Sequence, residues 1–295
     1  MPEIDPSHIT IDKITAAVFP ENGIEADVLR LDNIHPFISG NKWFKLRYYI
    51  EEAKQLNKKT LLSFGGAWSN HIIAIAAAGQ LYGFKTTGII RGEEPAKLSS
   101  TLQQAKAMGM QLIFSSRDDY QQKIIPAETG DDTYIISEGG YGIKGANGAS
   151  TILDHCRKEN YSHICCAAGT GTMAAGLANA ADPKTTIIAI SVLKNNPGIG
   201  ENIISLADGN KKEIVLVHDY HFGGYAKWQP SLIDFMNEYY RQTTIPSDFV
   251  YTGKLFYGIS DLAAKKFFPP GSRLLLIHSG GLQGNSSLDK GTLIF

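Results

Sequence analysis

The sequence predicts an α/β protein of two domains, each a mainly parallel sheet flanked by helices. Three observations carry that reading. Apolar, strand-like runs alternate with helical patterns along most of the chain, the order that builds parallel sheets covered on both faces. The 295 residues are 43% hydrophobic, which supports a large core and fits two domains better than one. Glycine-bearing turns follow several of the apolar runs, where open parallel sheets bind their ligands.

The elements follow in order. A helix starts at Gly40-Asn41-Lys42, because Leu46, Tyr49, Ile50, Ala53 and Leu56 recur at helical spacing and mark a buried stripe. Residues 61–64 read as a strand and Asn70–Tyr82 as a helix. Residues 86–90 are a strand, 98–108 a helix, and 111–115 and 134–137 further strands. His163–Ala168 is a strand that leads into a glycine-rich turn and a small-residue helix from Thr172. Residues 187–192, 213–218 and 274–278 complete the set. The stretch from Gly139 to Gly145 is the loosest in the middle and predicts a crossing between two α/β units.

Composition narrows the function classes. Lys and Arg total 28 against 29 Asp and Glu, a net charge of -1. No basic stripe points to nucleic acid, and no charge block points to a tail. No apolar run approaches a membrane span. Cys156, Cys165 and Cys166 are too few for a disulfide framework and fit a reducing compartment. Cys165 and Cys166 read as small buried strand residues. The acidic segment Met1-Pro2-Glu3-Ile4-Asp5 lacks the apolar core of a signal peptide. The expectation is a soluble, cytoplasmic protein.

Lys42 lies four residues before Leu46 and so continues the buried stripe into the first turn of its helix. Burial and the helix dipole both favour its neutral amine there. A neutral, positioned amine suits Schiff-base chemistry on a carbonyl. A lysine snorkelling from a helix end is the commoner case for such a residue alone.

Three turns supply the rest. Gly65-Gly66-Ala67-Trp68-Ser69-Asn70-His71 follows a strand, and Ser69 is a natural cap for the helix beyond. A helix start with free N–H groups is a ready carboxylate site, although a plain capped turn is equally common. Gly169-Thr170-Gly171-Thr172 can cradle a phosphate with backbone N–H groups and hydroxyls. It is not a Walker loop, and the acid a dinucleotide site needs after the next strand is missing. His278-Ser279-Gly280-Gly281 offers one neutral hydroxyl and a close backbone approach. Tyr225 and Tyr251 sit beside glycines and can stack on a planar ring, though packed tyrosines are the commoner case. No metal-ligand spacing and no G-x-S-x-G elbow is present.

Together these groups suit pyridoxal 5′-phosphate acting on a small amino acid. From about Ser39 onward, the chain resembles the D-cysteine desulfhydrase / 1-aminocyclopropane-1-carboxylate deaminase family, within the fold type II pyridoxal phosphate enzymes. Four ordered motifs carry the resemblance: Gly40-Asn41-Lys42 with Lys45-Leu46, Gly65-Gly66 with Ser69-Asn70-His71, Tyr251-Thr252-Gly253-Lys254, and His278-Ser279-Gly280-Gly281.

The resemblance implies Lys42 as Schiff-base lysine and proton-transfer group, and Lys45 as a second lysine near the reacting centre. It implies Ser69, Asn70, His71 and Trp68 on the substrate side, with Asn70 also near the cofactor. Gly169, Thr170, Gly171 and Thr172 would hold the phosphate. Tyr251 would stack on the cofactor ring, and Tyr225 would stand near substrate. Thr252 and Ser279 join Lys45 as implied cofactor contacts; they replace the deaminase branch's glutamate and leucine, which favours the desulfhydrase branch. Ser69, Tyr225 and Tyr251 join Lys42 as implied catalytic residues.

The implied reaction removes the α-proton of D-cysteine with Lys42, expels the thiol and gives pyruvate and ammonia. Opening of the cyclopropane amino acid is the alternative. An NAD(P) oxidoreductase and a non-catalytic amino-acid-binding module are the readings from other classes. The chain departs from the family at Trp68 (usually Gln), Phe44 (usually Arg) and Ile73 (often polar), and the strand motif before the lysine is reduced to Leu29-Arg30-Leu31-Asp32. These departures are expected around the substrate. With the glycine-rich crossover, the resemblance also sets a larger domain of 1–50 plus 149–295, a smaller inserted domain of 51–148, a cofactor in the cleft between them, and a homodimer.

Overall fold

The computed structural model describes residues 4–208 and 213–295, so the first three residues of the acidic N-terminal segment lie outside it. Continuous apolar runs build the larger sheet. Its strands are β1 (Thr10–Lys13), β2 (Glu25–Arg30), β7 (His163–Ala168), β8 (Thr186–Ser191), β9 (Ile214–Val217) and β10 (Arg273–His278), in the order β1-β2-β10-β7-β8-β9. Only β1 runs antiparallel, against β2.

Successive side chains on a strand point to opposite faces, so an apolar run fills two cores at once. Ile164, Cys166, Leu275 and Ile277 enter one core. Cys165, Ile188, Leu274 and Leu276 enter the other. The adjacent cysteines are thus fully buried strand residues on opposite faces of β7.

The smaller sheet contains β3 (Thr60–Gly65), β4 (Lys85–Arg91), β5 (Met110–Ser115) and β6 (Thr133–Ile136), ordered β5-β4-β3-β6 and wholly parallel. The Asn70–Tyr82 helix covers it with Ile72, Ile75 and a run of buried alanines. The Asn41–Gln55 helix belongs to both halves. Phe44 enters a core of the larger sheet, while Leu46, Tyr49, Ile50 and Ala53 pack toward the smaller one. Leu56 falls outside this stripe and is 55% exposed, because the helix has ended at Gln55.

Several elements were not foreseen. β1 is four residues long with a mostly exposed pattern, and so carries no apolar signal. The helices Pro230–Thr243 and Thr252–Ala264 are also new; the glycine at Gly253 reads as a turn when seen alone. The stretch expected to be loose corrects most clearly. Glu138–Gly140 is a short 3-10 turn, and Ile143–Ser150 is a helix wedged between two others.

Its glycines are there for close approach. A Cβ on Gly148 would lie 1.9 Å from the Phe44 carbonyl oxygen, and one on Gly145 would lie 2.0 Å from that of Gly140. Across the second contact, a Cβ on Gly176 would meet the Ala146 oxygen at 2.4 Å. Backbone cannot retreat as a side chain can, so overpacking here is costly. Gly148→Ala is expected to lower unfolding free energy by about 3 kcal/mol, read from the midpoint of chemical denaturation.

Candidate active site

The carboxyl ends of both sheets open onto one cavity of about 760 Å³. β3 ends at it with Phe64 and Gly66, β4 with Arg91, and β6 with Ser137. From the larger sheet, β7 contributes Ala167 through Gly171, and β10 contributes Ser279 and Gly280.

The lysine helix reaches this cavity through a backbone-on-backbone contact. Gly40 has φ 60°, and a Cβ there would lie 1.8 Å from the Ser279 carbonyl oxygen. The Asn41 N–H donates to that oxygen at 3.2 Å. From the other side, the Gly281 N–H donates to Ser39 Oγ at 3.3 Å. Gly280, with φ 73°, leaves no room for a Cβ beside that hydroxyl. Only glycine allows both the left-handed turn and the approach.

Lys42 then sits in the first turn, half-buried in the cavity wall. Its Nζ donates to Asn41 Oδ1 at 2.8 Å and lies 5.8 Å from the centroid of the Tyr251 ring. Burial pushes its pKa down to about 8, against an opposing pull from Asp248. Lys45, one turn on, donates to the Gly139 carbonyl at 3.3 Å. Burial and then the charge of Lys42 hold it well below an ordinary lysine.

Ser69 caps the Asn70–Tyr82 helix, accepting from the Ile72 N–H at 3.3 Å. That helix start faces the cavity. Asn70 Oδ1 accepts from Gln283 Nε2 at 2.7 Å, which ties it to the segment after β10. His71 is only 2% exposed. Ser63 gives its hydroxyl proton to the Ile136 carbonyl at 2.7 Å, so it must accept from His71 Nε2 at 2.8 Å. The other nitrogen, Nδ1, is therefore a bare acceptor, with no partner among the described residues. Burial, then Lys42 and Lys45, pushes the imidazole down to about 3, so it is neutral at working pH.

Gly169, Thr170 and Gly171 line the cavity ahead of the Thr172–Ala180 helix. Gly171 has φ 83°, and Thr170 Oγ1 lies 2.9 Å from Thr172 Oγ1. Thr172 itself is fully buried behind Thr170, outside the lining. Tyr251 faces the cavity with Tyr225 edge-on to it, ring centroids 6.2 Å apart.

Other expected residues lie elsewhere. Thr252 is fully buried, and its hydroxyl donates to Asp248 Oδ1 at 2.7 Å rather than reaching the cavity. Trp68 is half-buried outside the lining. Phe44 and Ile73 pack in the interior, Phe44 edge-on to His155 at 5.6 Å. The departures at 44, 68 and 73 are thus not in the cavity wall as expected, because helix periodicity turns Phe44 and Ile73 into the core.

Sequence reasoning missed Asp248. Its carboxylate accepts from the N–H groups of Val250, Tyr251 and Thr252 and from the Thr252 hydroxyl, which fixes the start of the Thr252–Ala264 helix and aims Tyr251. An acidic residue a few positions before a helix was the available signal. Arg91 and Glu138, both in the lining, carried no motif at all.

Pyridoxal phosphate fits these residues. Lys42 offers an amine of lowered pKa, Tyr251 an aromatic face, and Gly169–Gly171 a cradle in which a side chain on Gly171 would strike Ile203. Fold and site together define a lysine-dependent α/β enzyme built for a phosphorylated carbonyl cofactor.

The family described as pyridoxal-phosphate dependent enzyme matches residues 16–280. The chain belongs to that family and is a pyridoxal-phosphate-dependent enzyme of lyase or deaminase type. A Pyrococcus abyssi relative, provisionally named a 1-aminocyclopropane-1-carboxylate deaminase, is 28% identical over 90% of this chain and 86% of its own. The mitochondrial bifunctional D-cysteine desulfhydrase/1-aminocyclopropane-1-carboxylate deaminase of Arabidopsis thaliana is 26% identical over 89% of this chain and 74% of its own. The crystal structure of a homologue of the same deaminase superposes with a TM-score of 0.82 at 25% identity, covering 96% of this chain and 92% of the other.

The lowered pKa of Lys42 has a measurable consequence. In cofactor-free protein the unfolded chain keeps the Lys42 proton to about pH 10.4, an ordinary lysine value, while the folded chain releases it near 8. The unfolded state binds the extra proton between these values, so folding stability rises with pH there. Relative to Lys42→Met, the cofactor-free protein should gain stability from pH 8 to 10, with a slope of up to about 1.4 kcal/mol per pH unit in denaturant titrations.

Proposed function

We propose that this enzyme eliminates the β-substituent of a small amino acid, with D-cysteine as substrate and pyruvate, ammonia and sulfide as products. The observation that carries the choice is Ser279. Ser279, directly after the last strand, lines the cavity with a neutral residue, and Thr252, at the family's glutamate position, is turned to Asp248. Pyridoxal phosphate, when bound, supplies the electron sink for charge on the α-carbon. A carboxylate at its ring nitrogen strengthens that sink, whereas a neutral hydroxyl does so less. The weaker sink suits departure of a good leaving group.

The chain's own residues divide the work. Neutral Lys42 takes the α-proton. The Ser69 hydroxyl and the helix start beyond it bind the substrate carboxylate. Lys45 and Gly169–Gly171 hold the phosphate, and Tyr251 packs on the ring. Asn70 and Tyr225 orient the substrate. The domain division at 51–148 belongs to the same proposal, supported by the smaller sheet lying within residues 60–136. So do a homodimer, which rests on the resemblance, and a cytoplasmic location, supported by three free cysteines.

The names of the relatives favour a second reading, opening of the cyclopropane amino acid. Incubation with each substrate separates the two, because D-cysteine yields pyruvate and sulfide and the cyclopropane yields 2-oxobutanoate. Faster 2-oxobutanoate formation would reverse the assignment. Lys42→Ala should cost about 10³ or more in kcat, and borohydride followed by peptide mapping should place the cofactor's mass on Lys42 in the wild type alone.

A further inference from the structure

Lys254 is 0% exposed, and the chemistry above makes no use of it. It lies in the first turn of the Thr252–Ala264 helix, outside the cavity lining. A buried ammonium must be satisfied by partners. Its Nζ donates to the His221 carbonyl at 2.8 Å and to the Gly224 carbonyl at 2.7 Å. Burial still pushes its pKa down to about 8, with Asp248 pulling the other way.

The turn that Lys254 grips is conformationally expensive. Phe222, Gly223, Gly224 and Ala226 have φ of 51°, 95°, 118° and 51°. Phe222 and Ala226 are not glycines, so the left-handed region costs them free energy and the turn needs outside support. Within the turn, backbone bonds are sparse: the Gly224 N–H reaches the His221 oxygen, and the Lys227 N–H reaches the Gly224 oxygen. Both of these oxygens are the ones Lys254 also binds. Tyr225 rides on this turn, 41% exposed at the cavity and edge-on to Tyr251.

Lys254 therefore connects two active-site tyrosines. Its helix begins immediately after Tyr251, and its ammonium holds the turn that carries Tyr225. We propose that Lys254 is a positioning residue that braces the 221–225 turn and so holds Tyr225 at the substrate, without itself touching substrate or cofactor.

The test uses Lys254→Met, with Lys254→Gln beside it as a milder change that keeps N–H donors on a shorter side chain. Thermal melts establish that each is folded. In cofactor-free protein, amide hydrogen exchange should quicken in peptides covering 221–227 and stay unchanged in those covering β7 and β10, with Gln between wild type and Met. In the loaded enzyme, Lys254→Met should lose about tenfold in kcat/KM, carried mainly by KM.

Tyr225→Ala should lose a similar amount, and the double variant should be no worse than Tyr225→Ala alone, because both changes remove one interaction. Wild-type exchange at 221–227 would overturn the brace. So would losses that multiply in the double variant, or a fall in kcat that tracks a global loss of stability. The kinetic arm rests on the amino-acid lyase reading, but the exchange arm does not. Faster local exchange with no turnover of either amino acid would support the brace and count against the substrate assignment.

Discussion

Where the Ser39-Gly40 turn meets Ser279-Gly280-Gly281, main chain touches main chain, with the Ser39 hydroxyl as the one side chain bonded across. This contact joins the start of the lysine helix to the end of β10, two segments about 240 residues apart in sequence. Its cost is three left-handed glycines, Gly40, Gly280 and Gly281, and its gain is a fixed height for Lys42 above the strand ends. The rest of the site is measured from it. Gly281 abuts Asn70, Asn70 is held by Gln283, and Asp248 packs beside Gly281. A Cβ at Gly40 or Gly280 would push the lysine helix off the cavity before disturbing any single contact with a ligand.

Charge is distributed around that contact with little compensation. Lys42, Lys45 and Lys254 are all held below the ordinary lysine range by burial, and Asp248 is the carboxylate that pulls on both Lys42 and Lys254. Asp248 is itself raised by burial, although backbone N–H groups and Thr252 oppose that. A site short of negative charge favours neutral amines and welcomes an anion. That is the condition a phosphate and a substrate carboxylate require. The imidazole of His71, kept neutral by burial and then by the same lysines, adds an acceptor without adding charge.

The two sheets share the lysine helix, which packs into a core of each, and a further helix holds it in place. The Ile143–Ser150 helix touches the lysine helix through Gly148 and the phosphate-turn helix through its contact with Gly176. Lys42 and the Gly169–Gly171 cradle are thus carried on helices that each approach the backbone of this third helix. A cleft between two sheets could widen freely if side chains alone bridged it. Close-packed helices resist such movement, because interiors are as dense as molecular crystals.

Much of this was legible in the chain. Strands such as His163–Ala168 and the Asn70–Tyr82 helix declare themselves by period and by glycine or serine punctuation, which are local properties. Lys42, Ser69 and the Gly169 turn were legible for the same reason: each is a residue type at a fixed offset from an element end. The glycines near 140–148 misled, since a residue without a side chain reads as loose until the backbone that fills its space is known.

Thr252 was placed at the cofactor because motif order preserves identity but not the direction of a hydroxyl. Its partner, Asp248, decides that. The sequence by itself determined the alternation of elements and the chemical groups delivered to the strand ends, because these depend on neighbours within a turn or two. Only the tertiary structure decided which of those groups face the cavity, how far burial lowers the lysines, and that Lys254 grips the Tyr225 turn. Those outcomes depend on desolvation and on contacts between residues far apart in the chain.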